Sequence, residues 1–265
     1  MSVLQQILET KRAEVEQRKR SHPANQFPER SDAVRDFAGA LAGDGIGIIA
    51  EIKRKSPSRG DLMPDADPVE VAQSYEANGA AALSVLTDRT YFGGSLEFLQ
   101  EIRSRVALPV LRKDFIIDRY QVRESFAAGA DAILLILEAM EFAEVQACYN
   151  LARELGLHVL VESYTDRSLE LLQELHPTIA GVNARDLSSM AVDFEGMLRK
   201  RAAIPAKSIA VAESGILEPA QLRQAGEAGF QAALIGTAFM QTGDPGKALR
   251  RFADAASIPG ERRSP

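Results

Sequence analysis

The chain has 265 residues, 46% apolar and 26% charged, with a formal net charge of −6. That length suits one large α/β domain, and the balance is ordinary for a globular protein, which excludes disorder throughout. The acidic excess excludes a broad electrostatic nucleic-acid binder, although a local basic pocket stays open, and the one cysteine, Cys148, excludes a disulfide framework or cysteine-rich metal site.

The first residues lack the basic stretch and apolar run of a signal peptide. The longest apolar stretch, Ala130 to Ala139, is broken by Asp131 and Glu138, so no membrane span is expected. The expectation is a soluble cytoplasmic monomer with no nucleic-acid and no membrane partner.

Val3, Leu4, Ile7, Leu8 and Val15 recur at helical spacing and predict a helix from Ser2 to about Arg20. Lys11, Arg12, Arg18, Lys19 and Arg20 are expected on its solvated face. A proline-containing loop from His22 to Pro28 leads to a second short helix near Ser31 to Leu41. These pieces make an N-terminal helical extension over residues 1–45.

From residue 46 to 257 a regular alternation follows. Short apolar runs predict eight strands: Ile46–Glu51, Ala82–Thr87, Leu108–Lys113, Ala132–Leu137, Leu157–Glu162, Ile179–Asn183, Ser208–Glu213 and Ala232–Gly236. Such continuous runs fit strands covered on both faces. Helical stretches lie between them, including Pro68–Asn78, Leu96–Val106, Glu141–Leu155 and Pro219–Ala228, with Gly79, Gly129 and Gly229 placed as helix-ending glycines. Eight βα repeats in roughly 215 residues are the arithmetic of a single-domain (β/α)8 TIM barrel. An open doubly wound sheet would need a glycine-rich turn after the first strand, and none is there. Residues 258–265 read as a frayed tail.

Active sites of such barrels form at the C-terminal strand ends. Alternation puts Glu51 and Lys53 on the face of Ile49, Lys113 with Leu111, Glu162 with Leu160, Asn183 with Gly181, and Glu213 with Val211. These six polar groups converge if the apolar partners fill the barrel. Buried charges are costly unless paired or used, so the set points to acid–base chemistry. Ser214–Gly215 after the seventh strand and Gly236–Thr237 after the eighth, facing a basic loop that contains Ser56, point to a phosphate site. Phe92, Phe115, Leu134 and Leu187, with Met190, form a candidate wall for a ring-bearing substrate. His158 begins the fifth strand, the wrong end for catalysis, and is assigned a structural role. No histidine and carboxylate spacing fits a metal, so no metal and no cofactor are expected.

Four motifs carry a family resemblance. Ile49–Gly60 (IAEIKRKSPSRG), Ser84–Asp88 with Tyr91–Ser95, Pro109–Asp118 (PVLRKDFIID) and Val211–Ile216 together resemble indole-3-glycerol phosphate synthase, in order along essentially the whole chain. With no second barrel, the chain resembles the monofunctional form. The resemblance implies closure of the indole ring in tryptophan biosynthesis. The substrate would be 1-(2-carboxyphenylamino)-1-deoxyribulose 5-phosphate, and the products indole-3-glycerol phosphate, CO2 and water. It implies Lys113 as general acid, Glu162 as general base in dehydration and Lys53 on the substrate carboxylate. Glu51 would position the lysines, Asn183 the sugar hydroxyl, and Glu213 would complete the polar ring. Ser56, Ser214, Gly215, Gly236 and Thr237 would hold the phosphate. The chain departs from the family pattern at Ala184, in the segment Ser188–Val192 where a Phe is common, at Tyr164 and at Arg89–Thr90.

Overall fold

The computed structural model describes residues 2–43, 45–57 and 59–256. Eight parallel strands, β1 (Gly47–Ile52), β2 (Ala82–Leu86), β3 (Val110–Lys113), β4 (Ala132–Ile136), β5 (His158–Ser163), β6 (Ile179–Asn183), β7 (Ile209–Glu213) and β8 (Ala232–Ile235), close into a barrel. Each strand pairs with the next in sequence. Closure comes from β1 against β8, in the register Gly47↔Ala232 to Ala50↔Ile235.

The outer layer contains α3 (Pro68–Ala77), α5 (Leu96–Arg105), α6 (Arg119–Ala127), α7 (Phe142–Glu154), α8 (Asp166–Leu175), α9 (Phe194–Lys200), α10 (Pro219–Glu227) and α12 (Pro245–Ala256). Two single-turn helices, α4 (Arg89–Phe92) and α11 (Thr237–Met240), follow β2 and β8. The four helices read from sequence end within a residue of expectation, because the flanking residues serve as caps. Gly79, Gly129 and Gly229 all take positive φ just past α3, α6 and α10.

Strand alternation divides the core in two. Ile49, Leu111, Leu134, Leu160, Val211 and Leu234 pack inside the barrel. Ile48, Leu83, Val110, Ile133, Val159 and Val182 pack outward against the helices. This is why each strand reads as a near-continuous apolar run. Some edges differ from expectation by one or two residues: β3 starts at Val110, after Pro109 has supplied a carbonyl to Leu83, and Gly236 already caps α11.

The N-terminal extension spans both ends of the barrel. The first helix, α1 (Val3–Ser21), packs Leu4, Ile7 and Leu8 into the inner cluster beside Phe115, at the C-terminal mouth. The next, α2 (Phe37–Leu41), joins the inner cluster at the opposite end, where the Phe37 ring lies 6.5 Å from that of His158. The expected helix at Ser31–Leu41 is shortened to its last turn. Before it, the Arg35 amide donates to Asp131 and the Arg30 and Arg35 side chains donate to barrel carbonyls, which holds that stretch extended. Asp36 then caps α2 through the Gly39 amide. His158 is half-buried, with Nε2 3.5 Å from Asp36, far from the mouth.

The basic side of α1 corrects a second expectation. Arg12 and Arg20 are exposed, but Lys11 is buried. Arg18 lies 2.9 Å from Glu124, and Lys19 lies 2.7 Å from Asp118, so α1 is tied to α6 by charge. A helical-wheel reading cannot see these partners, because they come from a distant helix. The proposed tail, 258–265, lies outside the described residues.

Candidate active site

The residues of all three sequence-derived groups line one cavity of about 380 Å³ at the C-terminal mouth. Glu51, Lys113, Glu162, Asn183 and Glu213 occupy the last inward-facing positions of β1, β3, β5, β6 and β7. Lys53 has the same parity as Glu51 but stands one residue beyond β1. Its Nζ donates to Glu51 Oε1 at 2.5 Å.

Lys113 is held elsewhere than expected. Its Nζ donates to Glu162 Oε2 at 3.0 Å and to Glu213 Oε2 at 2.7 Å. Glu51, expected to position both lysines, contacts Lys53 and reaches Lys113 only through its field. Asn183 turns inward as well: its Nδ2 donates to Glu162 Oε1 at 2.9 Å, while its Oδ1 accepts the Arg185 amide at 2.9 Å. Glu162 is therefore fixed from two sides.

Burial disfavours the Lys113 ammonium, but the charges of Glu162, Glu213 and Glu51 outweigh it and hold the pKa above its usual value. Burial also opposes charge on Glu162. There the Lys113 charge and the bonds from Glu213, Asn183 and Lys113 win, and the pKa falls. Glu213 goes the other way: burial, then the Glu162 charge, pushes it up to about 8. Near neutral pH the trio is an ammonium between one carboxylate and one carboxylic acid, a set able to give and take a proton.

This has a consequence for stability. Between its ordinary 4.5 and about 8, Glu213 keeps a proton in the folded chain that the unfolded chain lacks. Its contribution is therefore complete below 4.5 and disappears as pH rises through about 8. The neutral variant Glu213→Gln is expected to gain stability relative to the parent as pH rises across that window. Urea unfolding of both at pH 5, 6, 7 and 8 checks it, and a pH-independent difference would contradict the assignment.

The loops adjoining this ring suit an anion. Ser214 (φ 64) and Gly215 (φ 75) both lie in the left-handed region and turn the chain sharply past β7. For Ser214 that conformation costs on the order of 1 kcal/mol, strain that gathers at functional sites. Ser56 sits in a short antiparallel pair, Lys55–Ser56 with Gly60–Asp61, where its Oγ accepts the Arg59 amide at 3.2 Å. Gly236 closes the group. A Cβ there would lie 2.6 Å from Glu51 Oε1 and 2.9 Å from Glu51 Cβ. Gly236→Asp would crowd Glu51 and repel an anion. Losing one hydrogen bond to a charged group is worth about 1.5–3 kcal/mol, so KM should rise by roughly tenfold or more. Steady-state kinetics would show it, and an unchanged KM would remove the phosphate from this corner.

The apolar residues line this same cavity. Phe92 and Phe115 tilt together with ring centres 6.2 Å apart. Leu134 lines the cavity with them, while Leu187 and Met190 belong to the loop after β6. Arg59, one of the cations of the basic loop, also lines the cavity, as does Arg185, to which the sequence assigned no role. Burial, then the nearby Arg59 charge, pulls the Arg185 pKa down. Arg185 shares parity with Asn183, so alternation carried one step past β6 would have found it. Of the departures from the family pattern, the segment Ser188–Val192 contributes Met190 and Val192 to the cavity lining, and the others lie outside it. Ala184 is buried in the outer core, Tyr164 packs its ring under the Lys200 ammonium, 4.5 Å away, and Arg89 is exposed near Glu97.

The family model described as indole-3-glycerol phosphate synthase matches residues 4–252. The chain is 46% identical over 241 residues to the indole-3-glycerol phosphate synthase of Pelodictyon phaeoclathratiforme, covering 89% of this chain and 94% of that protein. It is 44% identical over 257 residues to that of Dechloromonas aromatica, covering 94% and 98%. Among solved structures, 3-hexulose-6-phosphate synthase from Salmonella typhimurium superposes with a TM-score of 0.65 at 16% identity, over 80% of this chain and 98% of that one, a likeness of fold alone. The motifs of β1, β3 and β7, the polar ring they build and the match over nearly the whole length agree: this chain belongs to the indole-3-glycerol phosphate synthase family.

Proposed function

We propose that this protein closes the indole ring of 1-(2-carboxyphenylamino)-1-deoxyribulose 5-phosphate in tryptophan biosynthesis, with the residues of this cavity in the following roles. The observation that carries the reading is the Lys113 ammonium held between Glu162 and Glu213, in one cavity with aromatic side chains and an anion corner. The ring carbon bearing the carboxylate attacks the ketone carbon, and the Lys113 proton goes to the ketone oxygen. The bond to the carboxylate then breaks, CO2 leaves, and its electron pair restores the aromatic ring. Glu162 takes a proton from the adjacent carbon as the hydroxyl departs, protonated by a lysine, as water. Lys53 pairs with the substrate carboxylate until it leaves. Glu51 orients Lys53, Asn183 orients Glu162 and meets the sugar hydroxyl, and Glu213 returns a proton to the pair. Ser56, Ser214, Gly215, Gly236 and Thr237 hold the phosphate, and Phe92, Phe115, Leu134 and Leu187 face the ring.

A cytoplasmic setting suits a phosphorylated substrate and a buried, unpaired Cys148. A single chain supplies every residue of this site, and we read the active species as a monomer. Light scattering on active protein should give one chain's mass, 28.8 kDa, and an active dimer would overturn that. The activity itself is tested by incubating folded protein with the substrate and following indole fluorescence and released CO2. Equal amounts of both are expected, and folded protein that forms neither would defeat the reading.

A further inference from the structure

One charge on α1 is used neither by the ring closure nor by the apolar core. Lys11 is 2% exposed. Its Nζ lies 2.7 Å from Asp88 Oδ2, 3.0 Å from Asp114 Oδ1 and 2.9 Å from Glu14 Oε2. Asp88 and Asp114 are themselves buried. Burial works against the Lys11 charge, and Asp114 and then Asp88 outweigh it. For stability alone such a cluster is a poor choice, since well-packed apolar residues often do as well.

Both aspartates stand at the root of a piece of cavity wall. Asp88 follows β2, and its Oδ1 accepts the Tyr91 amide at 2.7 Å, capping the turn of α4 that carries Phe92. Asp114 directly follows Lys113. Its Oδ1 accepts the Phe115 amide at 2.8 Å, and its Oδ2 accepts the Thr87 hydroxyl at 2.7 Å and Arg112 Nη2 at 3.1 Å. Lys11 thus joins the segment bearing Phe92 to the segment bearing Lys113 and Phe115. Neighbours on α1 support the same grip: the Thr10 and Tyr91 hydroxyls lie 2.8 Å apart, and the Thr90 hydroxyl donates to Glu14 Oε1 at 3.0 Å.

We propose that Lys11 is a positioning residue for ring closure. From outside the barrel it fixes the gap between Phe92 and Phe115 and the aim of Lys113, acting through Asp88 and Asp114. The reaction needs a ring carbon at near-attack distance from the ketone carbon while an acid sits on the ketone oxygen. A displacement of about 1 Å in such a constellation can lower the rate by about 10²-fold. The inference rests on the reading of Lys113 as the acid.

The test compares Lys11→Met, Asp88→Asn and Lys19→Met at a temperature where each is folded. Asparagine at position 88 still caps α4 but gives up the ion pair. Lys19→Met loosens α1 at its contact with Asp118, and neither residue lines the cavity. We expect Lys11→Met and Asp88→Asn to lose at least tenfold in kcat, with the loss in kcat exceeding any rise in KM. Lys19→Met should stay within twofold of the parent. A kcat within twofold for folded Lys11→Met would overturn the inference, and if that variant does not fold, the same result for Asp88→Asn overturns it. Active Lys113→Met would remove the acid assignment and this inference together. Inactive Lys113→Met alongside fully active Lys11→Met and Asp88→Asn would remove only this inference.

Discussion

Lys113→Met is expected to lower kcat by at least about 10²-fold, and up to about 10⁴-fold, the span of general acid catalysis. A ketone is a poor electrophile until its oxygen is protonated or polarised, and attack by an aromatic carbon sacrifices aromaticity, so assistance at that oxygen matters. Methionine keeps much of the side chain's length and removes the proton. It also leaves Glu162 and Glu213 facing each other without the ammonium that bridges them. Glu213 already carries a proton near neutral pH, which limits the repulsion, so the variant should fold and bind substrate through the phosphate. If Lys113 only tied the strand ends together, the melting temperature would fall and turnover of the folded fraction would stay within a few-fold. Measuring kcat and melting temperature on one preparation separates the two outcomes.

At the other end of the barrel, Asp131→Ala is expected to reduce stability by about 3–5 kcal/mol, the usual consequence of removing one partner from a buried ion pair. Asp131 is fully buried just before β4. It accepts Arg30 Nη2 at 3.1 Å, the Arg35 amide at 2.9 Å, Arg103 Nε at 3.0 Å and the Val110 amide at 3.0 Å. One carboxylate thus pins the N-terminal extension, α5 and the start of β3. Without it, the Arg30 side chain, 2% exposed, keeps only the half-exposed Asp32, 3.5 Å away, as a carboxylate partner. Urea unfolding should show the loss, while kcat of the folded fraction stays near that of the parent. A change in stability under about 1 kcal/mol would mean that water replaces the carboxylate more readily than its burial allows.

These two residues show what a single sequence discloses. Lys113 was legible because a parallel strand buried on both faces is nearly all apolar, so a charge at its last inward position stands out. The same contrast exposed Glu51, Glu162, Asn183 and Glu213, and eight such runs gave the barrel. Asp131 was visible only as an interruption in an apolar stretch, since its partners are donated from segments far away in the chain. Lys11 was misread for the same reason: periodicity assigns a residue to a helix face, and the tertiary partners decide whether that face is wet. The helix expected at Ser31–Leu41 is shortened to its last turn because the donors of Arg30 and Arg35 find acceptors on the barrel that outcompete the helical turn. Arg185 was recoverable by counting alternation one step beyond the strand.

The most direct measurement is a crystal structure of Lys113→Met with the substrate bound. The phosphate is expected against Ser214–Gly215 and Gly236–Thr237, the aromatic ring against Phe92 and Phe115, the carboxylate beside Lys53, and the ketone oxygen facing residue 113. Substrate bound with its ketone directed away from residue 113, or with its phosphate outside those two loops, would contradict the account.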